Sequence, residues 1–253
     1  MLPAIIEITL LSFLPVALLL FILAYVNNSS KPLVAASLLF AAYTFDSLVR
    51  YLPIFFSFMY SQIGHFNWVG GLLSFLWPWP VIFLFKWLTA EEVGLKLERP
   101  VNGIFFGLFF GFALGGWNIL NGYFLTDLPS KNLIESMIFQ LFVPAFSEEL
   151  VFRGLFLAIL DRYLEKRWIA STFSFGWGIV LVSILFISVH LISFNRTTGQ
   201  LMWIGTLDVL GNIIVATVAL AYLRLKTGSL WPGVICHSLI NTLPYFAAYF
   251  LFG

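Results

Sequence analysis

The residues best suited to chemistry in this sequence are Glu148, Glu149 and Arg153, two adjacent carboxylates and a guanidinium inside an apolar stretch. An ionised side chain at bilayer depth is costly, so such groups usually face a partner or a water-filled cavity. Glu149 and Arg153 are four residues apart, which puts them on one helix face and predicts an ion pair. Glu148 lies about 100° further around the helix, so this carboxylate is left to face something else.

Two histidines and an amide lie in equally apolar surroundings. His190 ends the run Ile-Leu-Phe-Ile-Ser-Val-His, and His237 ends the run Trp-Pro-Gly-Val-Ile-Cys-His. Asn241 follows His237 by four residues, so a helix presents both side chains from one face. Together with Glu148, these groups are able either to bind and activate a water molecule or to relay protons.

A further charged pair, Asp46 and Arg50, lies in another apolar stretch with the same spacing of four residues. Opposite charges at this spacing neutralise one another on a single helix face. Pairing is also the usual way in which charges inside a membrane are tolerated. We therefore interpret this pair as an internal structural ion pair.

The composition assigns the chain to integral membrane proteins. Of its 253 residues, 60% are hydrophobic and only 10% are charged, and the mean hydropathy is +0.97, whereas soluble domains have about 25% charged residues. The 29 Phe, 9 Trp and 9 Tyr suit lipid-facing and interfacial positions. The chain has no basic run that could follow a phosphate backbone, which predicts that no nucleic acid is a partner.

Apolar segments near the length of about 20 residues that crosses a bilayer predict an all-α fold, a polytopic transmembrane helix bundle of about eight spans. The segments are 3–26, 33–57, 66–88, 101–125, 132–160, 168–191, 202–223 and 229–252. We expect N-terminal transmembrane helices in residues 1–100 and, in residues 101–253, a second helix bundle that carries Glu148, His190, His237 and Asn241. Glycines recur every four residues in the fourth span and predict close helix packing; they are Gly103, Gly107, Gly111 and Gly115.

The loops between these spans carry an uneven charge. Nine basic residues fall on one side: Lys31, Lys86, Lys96, Arg99, Arg162, Lys166, Arg167, Arg224 and Lys226. Lys131 and Arg196 are the two on the other side. By the positive-inside rule the first side is cytoplasmic, so we predict that both termini lie outside the cytoplasm.

Helix rise sets a condition on the site. At about 1.5 Å per residue, the spans place Glu148 near mid-membrane, His237 closer to the cytoplasmic end and His190 nearer the outer end. These side chains can meet if the sixth helix begins later than residue 168, or if it is tilted or irregular. Three small residues allow a late start: Ser174, Gly176 and Gly178.

Three motifs follow one another on consecutive spans: Glu148-Glu149-x-x-x-Arg153, Phe186-x-x-x-His190 and His237-x-x-x-Asn241. In type, order and spacing they resemble the motifs of the CPBP intramembrane proteases, also called the Abi or CAAX-protease-like family. This family includes the endopeptidases that process prenylated CAAX proteins. The resemblance covers residues 130–245 and departs from the pattern at no motif position.

The resemblance implies a role for each motif residue. Glu148 would be the general base that activates water for attack on a peptide carbonyl, and the two histidines would hold that water or stabilise the site. Asn241 would donate to the oxyanion, while Glu149 and Arg153 would support the helix and the geometry of Glu148. The expected substrate is a membrane-associated peptide or protein, of the CAAX type or a leader peptide, met within the lipid bilayer.

The cofactor requirement has two possible answers. Glu148, His190 and His237 form a ligand set that zinc accepts, so zinc is the alternative. We favour no cofactor and a glutamate mechanism, because the spacing is not the HExxH pattern of helical zinc proteases. In addition, Asn241, a poor zinc ligand, occupies the place where a third strong ligand would be expected.

Two other classes of function compete with the endopeptidase. In a proton-coupled or ion-coupled transporter, the glutamate and the two histidines would form the ion path; the lack of a visible internal repeat disfavours this reading. A non-catalytic family member would act as a scaffold or immunity factor. The intact Glu148, His190, His237 and Asn241 disfavour it, since such a protein is free to lose them.

Overall fold

The computed structural model describes residues 2–56, 66–96, 100–121, 133–165, 168–170, 173–194 and 200–252. Several basic loop residues that carry the orientation prediction lie outside the described residues: Arg99, Lys131, Lys166, Arg167 and Arg196. The predicted orientation of the termini therefore stays a prediction.

The described chain is a bundle of helices with two short hairpins. The α-helices are α1 (Leu2–Val26), α2 (Lys31–Tyr51), α3 (Trp68–Leu76), α4 (Pro100–Leu120), α5 (Leu133–Glu148), α6 (Leu157–Tyr163), α7 (Trp177–Leu191), α8 (Leu207–Thr227) and α9 (Trp231–Phe252). A 3₁₀ turn, Leu52–Phe55, follows α2, and π-helical segments occupy Pro80–Leu84 and Glu149–Phe156. The second π-helical segment joins α5 to α6 without a break.

The all-α membrane bundle is confirmed, and the count of eight spans stays a prediction. Five helices of the described chain are long and apolar enough to cross a bilayer; they are α1, α2, α4, α8 and α9. Two further apolar helices, Trp68–Leu84 and Trp177–Leu191, are shorter. The continuous helical segment from α5 to α6 carries Glu148, Glu149 and Arg153.

Two antiparallel hairpins shorten the predicted sixth and seventh spans. Strands β1 (Trp168–Ala170) and β2 (Phe173–Phe175) pair before α7, and β3 (Ile192–Phe194) pairs with β4 (Leu201–Trp203) after it. Helix α7, the helix of the predicted sixth span, consequently begins at Trp177, which is the first of the two alternatives considered for the depth of His190.

The N-terminal helices share one hydrophobic core with the π-helical segment. Leu20 of α1 and Leu39 of α2 are fully buried in the same cluster as Leu155 and Phe156. The ring of Tyr43 meets Phe156 edge-on, with the ring centroids 6.3 Å apart. This packing fixes the position of α2 relative to the segment that carries the paired glutamates.

Helix α4 packs against α9 along the predicted glycine face. A methyl group on Gly111 would come within 2.7 Å of Leu239 Cδ1, and one on Gly107 within 2.7 Å of the backbone oxygen of Pro232. The two helices therefore approach closely because these positions have no side chain. The glycines hold α9, which carries His237 and Asn241, in place.

The polar stretch 89–96 follows the π-helical segment Pro80–Leu84. Hydrogen bonds of charged side chains hold this stretch against the bundle. Arg162 Nη2 donates to Glu92 Oε1 at 2.7 Å, and Arg224 Nη2 donates to the Glu92 carbonyl oxygen at 2.8 Å. Burial raises the pKa of Glu92, but hydrogen bonds from Arg162 and Thr89 outweigh it and leave that pKa below its ordinary value. Arg224 Nε also donates to the carbonyl oxygen of Arg153 at 3.0 Å, so this stretch is connected to the chemistry-bearing segment.

Candidate active site

The site is built where α5 changes into the π-helical segment. Pro144 interrupts the backbone hydrogen bonding of α5 one turn before Glu148, since proline has no N–H. In the next turn, Ser147 Oγ donates to the carbonyl oxygen of Val143 at 2.7 Å. The wider π turns then begin at Glu149, and such turns are frequent at functional sites.

Glu149 is enclosed by two partners. Its Oε1 accepts from Arg153 Nη1 at 3.1 Å, the predicted ion pair, and both side chains are about 1% exposed. The same oxygen lies 3.0 Å from Nδ1 of His237, a contact that the sequence did not indicate. Gly233 makes room for it, because a methyl group there would come within 2.9 Å of Glu149 Oε2.

Glu148 has a different environment, although it is adjacent in sequence. Its side chain is 16% exposed, and its Oε2 lies 3.7 Å from Nε2 of His190 and 3.9 Å from Nε2 of His237. Its other oxygen, Oε1, lies 3.5 Å from Nη1 of Arg50. The two carboxylates therefore divide as the helical geometry predicts: Glu149 faces Arg153, and Glu148 faces both histidines.

The contacts of the two Nδ1 atoms determine the tautomer of each neutral imidazole. Nδ1 of His190 lies 2.7 Å from the carbonyl oxygen of Phe186, which can only accept, so this nitrogen carries a proton. Nδ1 of His237 faces the Glu149 carboxylate and carries a proton for the same reason. In the neutral rings, both Nε2 atoms are then acceptors aimed toward Glu148.

The ring of Phe186 packs against Arg153 and both histidines. The Arg153 guanidinium carbon lies 3.8 Å from the centroid of the Phe186 ring, a cation–π contact. The same ring packs against the imidazole of His190 with the centroids 4.3 Å apart, and it meets His237 edge-on at 6.1 Å. Phe186 thus contacts the buried ion pair on one side and both histidines on the other.

The pair formed by Asp46 and Arg50 is present but is not confined to one helix, contrary to the interpretation above. Arg50 Nε lies 3.5 Å from Asp46 Oδ2, while Nη1 reaches Glu148 across 98 positions of sequence. A guanidinium has five N–H donors, more than one carboxylate uses. This surplus of donors is the signal that could have indicated an additional partner for Arg50.

A cavity of about 350 Å³ opens beside the histidines. His190, His237 and Asn241 line it together, so the two motif residues on α9 share a face as predicted. Most of its wall is apolar, and further amide and hydroxyl groups come from residues that the sequence did not single out: Asn118, Gln140, Asn212 and Tyr245. Glu148 is not among the residues that line the cavity, but it lies within 4 Å of both histidines that do.

The side chains around Glu148 are also the ligand set considered for zinc. Within the part of the chain that the structure describes, no three His, Cys, Asp or Glu side chains are arranged to hold a metal. The guanidinium of Arg50 already places a positive charge 3.5 Å from Glu148 Oε1. Glu148, His190 and His237 are the ligands of the zinc alternative, and the absence of a cofactor stays a prediction.

Comparison with known proteins identifies the segment that carries the site. Residues 130–243 match the family described as type II CAAX prenyl endopeptidase Rce1-like. No match is found among the curated proteins or among the solved structures. The matched segment contains all three motifs, whereas Arg50 lies outside it.

Proposed function

Through residues 130–243 the chain belongs to the CPBP, or CAAX-protease-like, family of membrane endopeptidases, and on that premise we propose that it cleaves prenylated CAAX-type peptides with water activated by Glu148. Family membership carries the reaction class, the hydrolysis of a peptide bond at a membrane. The choice of base, the role of each side chain and the substrate are the proposal.

The convergence of three acceptors is the observation that supports this mechanism best. Glu148 Oε2 lies 3.7 Å from Nε2 of His190 and 3.9 Å from Nε2 of His237. Both distances are too long for direct hydrogen bonds. Acceptors at this spacing are suited to a bridging water, whose two O–H groups donate to two of the three atoms at a time. A water held this way is a nucleophile with its base already in contact.

These contacts determine which atom takes up, keeps or delivers each proton during the reaction. Glu148 takes a proton from the water as its oxygen attacks the substrate carbonyl carbon, and this proton is later delivered to the leaving amine. His237 keeps its own proton on Nδ1, toward Glu149, so its Nε2 stays an acceptor that orients the water. Asn241, on the same cavity, is the amide donor for the developing oxyanion.

The cavity suits an extended peptide attached to an apolar group. Its wall combines hydrophobic side chains from α4 and α8 with the amides of Asn118, Gln140 and Asn212. Amides of this kind hydrogen-bond to a peptide backbone, and the apolar wall accepts a hydrocarbon chain. This combination supports a lipid-modified peptide over a soluble one.

A metal-free reaction is part of the proposal. Arg50 supplies the positive charge next to Glu148, and Arg153 supplies the one next to Glu149. A dication would add charge beside the guanidinium of Arg50, which is unfavourable in an apolar site. A zinc-dependent reaction is the outcome that chelation experiments would reveal.

The test uses the purified full-length protein in liposomes and a farnesylated fluorogenic peptide that ends in a CAAX sequence. Glu148→Gln keeps the shape and removes the base, so we expect kcat to fall by at least about 10²-fold, the scale of a general base. The melting temperature should stay close to that of wild type, since Glu148 is partly exposed. Cleavage by Glu148→Gln at the wild-type rate would refute the mechanism, and equal cleavage of the unprenylated peptide would refute the substrate class.

A second pair of variants tests the cavity. Ala216 lines it, whereas Val218 on the same helix is 62% exposed and points away from the core. We expect Ala216→Trp to raise KM strongly for the prenylated peptide, because the indole occupies the space of the substrate. Val218→Trp adds the same group on the outer face and should leave KM unchanged. If both variants change KM equally, the cavity is not where the substrate binds.

A further inference from the structure

Arg50 is the feature of the site that the family motifs do not contain. It lies in the last turn of α2, and its Nη1 is 3.5 Å from Glu148 Oε1. Among the described residues, it is the only Lys or Arg whose charged nitrogens lie within 4.0 Å of the Glu148 carboxylate. The guanidinium of Arg153, by comparison, is engaged by Glu149 at 3.1 Å.

A hydrogen-bond network holds the guanidinium of Arg50. Its Nη2 donates to Ser74 Oγ at 2.9 Å, and Ser74 donates to Asp46 Oδ1 at 2.5 Å. Trp77 Nε1 donates to the same Asp46 oxygen at 2.8 Å. Asp46 therefore has two donors in addition to its contact with Arg50, so satisfying Asp46 does not by itself account for the position of the guanidinium.

The backbone of Arg50 is held as well. Asn67 Nδ2 donates to the carbonyl oxygen of Arg50 at 2.7 Å, and Asn67 Oδ1 accepts from the amide of Gly70 at 3.0 Å. A methyl group on Gly70 would overlap that carbonyl oxygen. The start of α3 is therefore fitted against the end of α2, and Arg50 is constrained at both its main chain and its side chain.

The two oxygens of Glu148 consequently have separate partners. Oε1 faces the positive charge of Arg50, and Oε2 faces the acceptor nitrogens of the two histidines. A carboxylate in apolar surroundings needs an opposite charge to stay ionised. A contact to one oxygen also fixes the rotation of the carboxylate, which decides where the other oxygen points.

We propose that Arg50 is a positioning residue of the active site, which keeps Glu148 ionised and directs its Oε2 toward the water held by the histidines. This inference rests on the proposed function, because it assigns Glu148 the role of base. It gives the N-terminal helices α2 and α3 a part in catalysis in addition to anchoring the protein in the membrane.

The test is the kinetics of Arg50→Met and Arg50→Lys on the same farnesylated peptide. Arg50→Met keeps the length and removes the charge; we expect kcat to fall about 10²-fold, the cost of misplacing a catalytic group by about 1 Å, while KM changes little. Arg50→Lys keeps a charge of similar reach and should recover at least about tenfold of that loss. Lys31→Met removes the same charge from the exposed first turn of α2 and should behave as wild type.

A double variant separates catalysis from stability. Arg50→Met leaves Asp46 without its countercharge, whereas Asp46→Asn combined with Arg50→Met removes both charges. We expect the double variant to be folded and still slow in kcat. Wild-type kcat in either variant, or a double variant that does not fold, would overturn the inference and leave Arg50 a structural residue. A fully active Glu148→Gln would instead overturn the proposed function, so the two failures are distinguishable.

Discussion

Replacing Glu149 with Gln gives the sharpest test of how the paired carboxylates divide their work. The substitution keeps the shape but replaces one acceptor oxygen with an NH2 donor and removes the negative charge between Arg153 and His237. Arg153 is fully buried and has two nitrogens, Nε and Nη2, without a hydrogen-bond partner. Its charge therefore depends on Glu149, and the first consequence of the substitution should be lost stability.

The size of this loss follows from the distance. Two unit charges 3.1 Å apart attract by about 5 kcal/mol at an effective dielectric constant of about 20. Breaking one partner of a buried ion pair typically costs about 3–5 kcal/mol, because the other charge remains buried. We expect the free energy of unfolding to fall by about that amount, and activity to fall as well because the Nδ1 proton of His237 loses its charged acceptor.

The assay combines unfolding of the detergent-solubilised protein with cleavage of the farnesylated peptide. Glu91→Gln is the matched control, since Glu91 pairs with Lys96 at 2.8 Å but is 65% exposed, and exposed pairs contribute about 0–1 kcal/mol. The reasoning is refuted if Glu149→Gln unfolds like wild type and is inactive while Glu148→Gln is active. In that case Glu149 is the base and its pairing with Arg153 is incidental.

Three further predictions concern packing, orientation and metal dependence. Gly111→Ala should destabilise the protein by about 1–3 kcal/mol, the usual cost of overpacking, because the added methyl group meets Leu239. Gly116→Ala is the control and should be neutral, because a methyl group there meets nothing within 4 Å. Equal melting temperatures for the two variants would contradict the packing argument. A reporter at the C-terminus should be reached from outside the cytoplasm, as the loop charges predict, and labelling from the cytoplasm alone would reverse the orientation. The chelator 1,10-phenanthroline should leave cleavage of the farnesylated peptide unchanged, and inhibition that added zinc reverses would establish the zinc mechanism.

Contacts governed by helical geometry were predictable from sequence. The ion pair of Glu149 with Arg153 and the shared cavity face of His237 and Asn241 both follow from a spacing of four residues. The close approach of α4 to α9 follows from glycines at the same spacing. In the first two cases the spacing is set within one helix. In the third, the glycine spacing predicts a face that can pack closely, but not which helix packs against it.

Contacts that depend on tertiary packing were not predictable. The approach of Arg50 to Glu148 joins residues 98 positions apart, and the periodicity of α2 does not indicate where the spare donors of a guanidinium point. The segments 168–175 and 192–203 form hairpins, although their hydropathy is that of a span, because a short apolar run fits a strand or a helix equally well. The π-helical segment has no sequence pattern of its own; Pro144 is the local hint.

The charges of the site favour Glu148 as the group that changes protonation during the reaction. Asp46, Glu148 and Glu149 face two guanidinium groups, those of Arg50 and Arg153, so with both imidazoles in their neutral form the carboxylates outnumber the guanidinium groups by one. One negative charge is therefore left over. Glu149 is the carboxylate least able to take up a proton, since Arg153 and His237 enclose it and stabilise its ionised form. Glu148 shares Arg50 with Asp46 and has a free oxygen toward the histidines, so a proton taken from water there neutralises the surplus. The negative charge then moves to the substrate oxyanion, where a neutral donor such as Asn241 is sufficient to stabilise it.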